Sequence, residues 1–138
     1  MTPENKTVVL EALRSGRYEQ ITGALRNVNG YCSLGVVADA LELCEWVPSV
    51  ETPGYFFGRF DGKVHLRGSS LPIAVSKKLG LDAQAPLEAI AVTIRKHVPD
   101  FRWPADTYEF TWNTALTAMN DTHKLSFNQI ADVIEEYL

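Results

Sequence analysis

A chain of 138 residues, 46% hydrophobic and 22% charged, has an ordinary globular composition and a length that one core can fill, so a single domain over residues 1–138 is expected. A formal charge of −4 and a pI near 5.3 provide no basic field for a phosphate backbone, which excludes extended nucleic acid from the expected partners. Two cysteines without a CxxC pair and three histidines without ligand-like spacing argue against a disulfide scaffold, a metal centre or a bound cofactor.

In chain order, Thr2-Pro3-Glu4 is a helix start: a cap residue, a proline at the first helical position and an acid at the positive end of the helix dipole. Val9, Ala12 and Leu13 continue as an apolar stripe until Gly16, which predicts a first helix over Pro3–Ser15. MTPENKTVVL lacks the basic start and apolar middle of a signal peptide, and no run approaches the roughly eighteen apolar residues of a spanning helix. The expectation is a cytoplasmic protein with no membrane segment.

Gly16 to Gly30 holds three glycines and no sustained periodicity, so it reads as a loop with a short extended piece around Gln20–Leu25. From Ser33 the apolar residues Leu34, Val37, Ala38 and Leu41 fall at helical spacing, predicting a buried helix from Cys32 or Ser33 to about Glu45. Residues 46–54 carry two prolines and a glycine and form a connection. Tyr55–Phe60, Asp61-Gly62 and Lys63–Leu66 then suit a tight antiparallel hairpin, at about 55–66. A two-stranded hairpin is marginal in water, so a third strand is sought at Gln20–Leu25 or near Trp46.

Ser69-Ser70-Leu71-Pro72 opens a short helix closed by Gly80, and Pro86 opens another that keeps helical spacing to Val98. Trp112, Ala115, Leu116 and Met119 give a further helix, interrupted at Asn120-Asp121. In the last helix, Ser126 and Gln129 form a capping box and Leu125 and Ile130 a hydrophobic staple. The fold class expected is α+β: one mostly helical domain of five to six helices with a small antiparallel hairpin.

Three groups of residues can carry chemistry. Cys32, in the first turn of a helix, sits where unpaired N–H groups and the dipole favour a thiolate, although free cysteine is also one of the most buried residue types. The polar loop residues Tyr18, Glu19, Gln20, Arg26 and Tyr31 surround glycines that let backbone groups approach a ligand; equally, Glu19 and Arg26 can pair and hold the loop together. Asn120 and Asp121 lie between two helices and read either as turn formers or as ligand contacts facing the Cys32 loop.

The blocks Tyr18-Glu19-Gln20-x-x-Gly23-x-Leu25-Arg26, Gly30-Tyr31-Cys32-x-Leu34-Gly35-Val36, Leu71-Pro72-x-x-Val75 with Leu79-Gly80-Leu81, and Asn120-Asp121 with Ser126-Phe127-x-x-Ile130-Ala131-Asp132 resemble a group of small tailed-bacteriophage and prophage proteins. The pattern of that group is YEQGxGxLR, YCCLGVL, LPxxVxxWLGL and LNDxxxSFxEIADxIE. This chain departs from it at Ile21, where glycine is usual, at Ser33, where a second cysteine is usual, and at Lys78, where tryptophan is usual. The resemblance implies a phage setting and an accessory role.

The function expected is therefore a non-catalytic accessory protein that binds a host protein or small host metabolite, in a counter-defence role, through Tyr18, Glu19, Gln20, Arg26, Tyr31, Asn120 and Asp121. The alternatives are a thiol-dependent hydrolase or transferase, with Cys32 as nucleophile and His97 or His123 as base, and a structural virion component. Oligomeric state is not legible in the sequence.

Overall fold

In the computed structural model, which describes residues 1–50, 54–104 and 110–138, six α-helices and five short strands follow one another in an α+β arrangement. Of the 46–54 connection, residues 51–53 lie outside the described residues. Helix α1 (Pro3–Arg14) starts at its signal: the Thr2 hydroxyl accepts the Asn5 N–H at 3.1 Å, and Pro3 occupies the first turn. Its buried stripe, Val9, Ala12 and Leu13, packs on α2 (Ser33–Ala40) and α6 (Phe127–Tyr137). Arg14 reinforces the second contact by donating to Asp132 at 2.6 Å and Glu135 at 2.9 Å.

The expected capping box forms at the start of α6. Ser126 Oγ accepts the Gln129 N–H and Gln129 Oε1 accepts the Ser126 N–H, while Leu125 and Ile130 are both buried as a staple requires.

Helix α2 stops at Ala40, well before the expected end near Glu45. The chain turns there in a Schellman motif: the Glu42 N–H donates to the Asp39 carbonyl and the Leu43 N–H to the Ala38 carbonyl. Glu42 takes the left-handed position, at φ 52°, that glycine usually fills. The helical spacing that runs on to Leu41 concealed this stop, because no glycine announces it.

The hairpin forms as β4 (Tyr55–Phe60) and β5 (Lys63–Arg67), with Phe60 opposite Lys63 and both turn residues at positive φ, Asp61 at 49° and Gly62 at 74°. Of the two candidates for a third strand, the piece at Trp46 joins: β3 (Trp46–Pro48) pairs with β4, giving the order β3-β4-β5. Residues Gln20–Leu25 stay outside this sheet. Instead, the loop folds back on itself through the two-residue strands β1 (Arg26–Asn27) and β2 (Gly30–Tyr31), and the Leu25 N–H ties it to the Gly68 carbonyl at 2.8 Å.

Gly35 explains why the loop can lie so close to α2. A Cβ at this position would collide with the Leu25 carbonyl oxygen, so the absence of a side chain is what permits the contact. The Cys32 N–H donates to that same carbonyl at 3.1 Å. The loop is thus pinned by backbone at the helix start.

Helices α3 (Ile73–Lys78), α4 (Leu87–Arg95) and α5 (Trp112–Thr117) complete the body. After α5 the chain widens into a π-helical turn, Ala118–Thr122, marked by the His123 N–H reaching the Ala118 carbonyl at 3.0 Å. That turn fixes where Asn120 and Asp121 point.

Candidate functional site

The polar loop has an inner and an outer half. On the inner side, the π-turn aims Asn120, which is 0% exposed, at the loop and at the start of α2. Its Oδ1 accepts from Gln20 Nε2 at 2.9 Å and from the Ser33 N–H at 3.2 Å. Its Nδ2 donates to the Ile21 carbonyl at 2.8 Å and to Asp121 Oδ1 at 2.7 Å. Gln20 Nε2 also reaches the Leu125 carbonyl at 2.8 Å. The structure therefore brings Gln20, Asn120 and Asp121 together beside Cys32, and the hydrogen-bonding capacity of the Asn120 amide is fully used in doing so.

Cys32 is the N-cap of α2, with Sγ accepting the Gly35 N–H at 3.4 Å. The cap bond favours the thiolate, but burial is the larger effect: at 7% exposure the thiol is pushed up to about 11. Desolvation thus reverses the direction expected from the helix start. The nearby charge of Asp121 pushes the same way.

Among the described residues, no imidazole hydrogen-bonds to Cys32. His97 lines a cleft of about 170 Å³ between α4 and α6, and His65 lies beside Phe60. His123 packs 4.5 Å from the Phe101 ring and 6.0 Å from Trp103, with a buried, unpartnered Nε2 and a pKa lowered by desolvation.

The outer half is an arginine among rings. Arg26 leaves β1 with its guanidinium carbon 4.0 Å from the Tyr55 ring centre, 5.1 Å from Tyr31 and 5.7 Å from Trp46. Tyr31 meets Tyr18 edge-on at 4.9 Å. Behind these rings Asp39 fixes the arrangement, accepting from the Tyr18 hydroxyl at 2.7 Å and from Trp46 Nε1 at 3.0 Å. Burial, followed by the Asp39 bond, pushes the Tyr18 phenol up to about 12; Tyr31 rises from its ordinary value for the same leading reason.

Glu19 and Arg26 form no ion pair with each other. Glu19 contributes its backbone carbonyl, which accepts the Tyr31 N–H at 2.9 Å, and the residue borders a cavity. That cavity, of about 220 Å³, also has Arg17, Arg26, Asn29, Tyr31 and Tyr55 on its walls. A second one, of about 280 Å³ on the other flank of Arg26, is lined by Gly23, Asn27, Ser49, Tyr55 and Ser69 among others. Asp39, Trp46 and Tyr55 were not singled out as site residues in the sequence. Only Asp39 left a trace, as a lone carboxylate in the apolar run of α2.

Among the described residues, no group of His, Cys, Asp and Glu is placed to hold a metal ion, and no helix is long and apolar enough to cross a membrane. Fold and site together define a small α+β protein whose loop is anchored inward by amides and presents arginine and tyrosine outward. The chain belongs to the family of the domain of unknown function DUF8296, which it matches over residues 1–138. No curated protein and no solved structure matches it.

Proposed function

We propose that the protein is a non-catalytic accessory module of a phage or prophage, which binds a host protein or small host metabolite in a counter-defence role through the Arg26 face of its polar loop. One observation carries the reading: Arg26 is held over three rings between two open cavities, whereas the thiol and the Asn120 amide are engaged inside. A charged, pre-positioned group beside open space suits recognition, because little side-chain freedom remains to be lost on binding. A buried thiol at about 11 is poorly suited to nucleophilic attack near neutral pH.

The test is a thermal-shift screen against nucleotides and organic acids, run beside affinity capture from bacterial lysate, with wild type, Arg26→Ala and Cys32→Ser. The expected result is a ligand or captured protein that wild type and Cys32→Ser retain and Arg26→Ala loses. A wild type with no partner in either assay, or a partner indifferent to Arg26→Ala, ends the reading.

A further inference from the structure

The β4–β5 hairpin differs in charge from the rest of the molecule. Between residues 59 and 78, Arg59, Lys63, Arg67, Lys77 and Lys78 face a single acid, Asp61, a formal +4 within a chain whose total is −4; the remaining residues therefore carry −8. All five basic side chains are exposed. Strand pairing sets Lys63 opposite Phe60 and Arg67 opposite Phe57, with Lys78 Nζ of α3 5.1 Å from the same Phe60 ring, while Arg59, opposite Val64, belongs to the other face.

The same strand exposes aliphatic surface, with Val64 and Leu66 each 61% accessible. Moreover, β5 is the end strand of its sheet, and among the described residues no strand pairs with its outer edge.

We propose that the outer edge of β5 is a docking site for an extended, acidic polypeptide segment of a partner protein, which adds to the sheet as a further strand. An unpaired edge offers a row of backbone donors and acceptors that an extended peptide matches and that a nucleic acid or lipid headgroup does not. Val64 and Leu66 supply apolar contact without the aromatic platform that single-stranded nucleic acid stacks on. Lys63 and Arg67 select acidic side chains on the incoming strand.

Charge also argues against a second copy of this chain as the occupant. Two β5 strands paired antiparallel about His65 would set Lys63 against Arg67 twice, and like charges directly opposite are destabilising. The residues that keep copies apart are thus the ones that admit an acid-bearing strand. The proposal rests on β5 alone and does not depend on the Arg26 reading.

The experiment measures fluorescence anisotropy of a labelled peptide of alternating glutamate and valine against the full chain, together with amide chemical shifts. Binding is expected to perturb the amides of residues 63–67, to weaken by at least about tenfold with the alternating lysine–valine peptide, and to weaken likewise in the Lys63→Glu/Arg67→Glu variant. N-methylation of alternate peptide amides, which removes strand hydrogen bonds without touching the protein, is expected to abolish it. Lys96→Glu, the same kind of charge reversal at the C-terminal cap of α4, is expected to leave it intact. Absence of binding, indifference to N-methylation, stronger binding of oligothymidylate or of phosphatidylserine vesicles than of the acidic peptide, or sedimentation as a dimer through β5 would each overturn the proposal.

Discussion

Asn120 shows how one side chain can organise a loop of another part of the chain. Its amide joins Gln20, Ile21 and Ser33 to the π-turn across some hundred residues of sequence, and does so at zero exposure. Replacing it by alanine leaves the buried Ser33 N–H and the Ile21 carbonyl without their partner, which is costly, whereas Gln20 keeps its bond to the Leu125 carbonyl. Asn120→Ala is therefore expected to lose about 3 kcal/mol in urea denaturation; a loss within experimental error of zero would show that water replaces the amide. From the sequence, the proximity of Asn120 and Asp121 to the loop was anticipated. Whether the amide would face a ligand or the interior was not, because that depends on the extra residue of the π-turn, which has no signature of its own in the residues 118–122. The ring cluster around Arg26 was hidden for a related reason. Tyr31, Trp46 and Tyr55 are remote in sequence and meet only once β3 pairs with β4.

Elements with local punctuation were legible, and those decided by tertiary packing were not. Thr2-Pro3, the Asp61-Gly62 turn and the Ser126 capping box each contain their own hydrogen-bonding or backbone logic within four residues, and each forms as read. The third strand had two candidates of equal merit, since a three-residue strand has almost no periodicity to measure. The end of α2 was misplaced because the left-handed residue that stops it is a glutamate. Left-handed backbone costs an ordinary L-residue about 1–2 kcal/mol, part of which glycine gives back in unfolded-chain entropy. Glu42→Gly is accordingly expected to stabilise the protein by about 0.5–1 kcal/mol, read as a higher urea midpoint at unchanged slope. A lower midpoint would mean that the Glu42 side chain makes a compensating contact.

Across the whole molecule, alkaline pH acts on three partly or fully buried groups at once. Burial raises Cys32 and Cys44 from 9.0 to about 11, and Tyr18 from 10.0 to about 12. All three are neutral when protonated, so above pH 9 the unfolded chain releases thiol protons that the folded chain retains. The stability they contribute is complete below pH 9 and is lost as pH rises toward 11 for the thiols and 12 for the phenol. Melting temperature is expected to hold level from pH 7 to 9 and then fall, with the onset delayed in Cys32→Ala/Cys44→Ala relative to that variant's own neutral value. A level profile to pH 11 would show that the thiols are hydrated in the native state. The pattern of predicted elements carried the α+β class of the molecule, but not this sensitivity, which arises only when the core closes.

The packing of α1 on α6 bears on how the protein is made. Helix α1 leaves the ribosome well before α6, and one flank of its Val9, Ala12 and Leu13 stripe stays bare until residues 127–137 arrive, with Arg14 waiting for Asp132 and Glu135. An earlier-made helix is thus closed by a much later one. A message cut short before Phe127 would yield no smaller working version, only a nascent chain with a sticky ridge for chaperones and proteases to find.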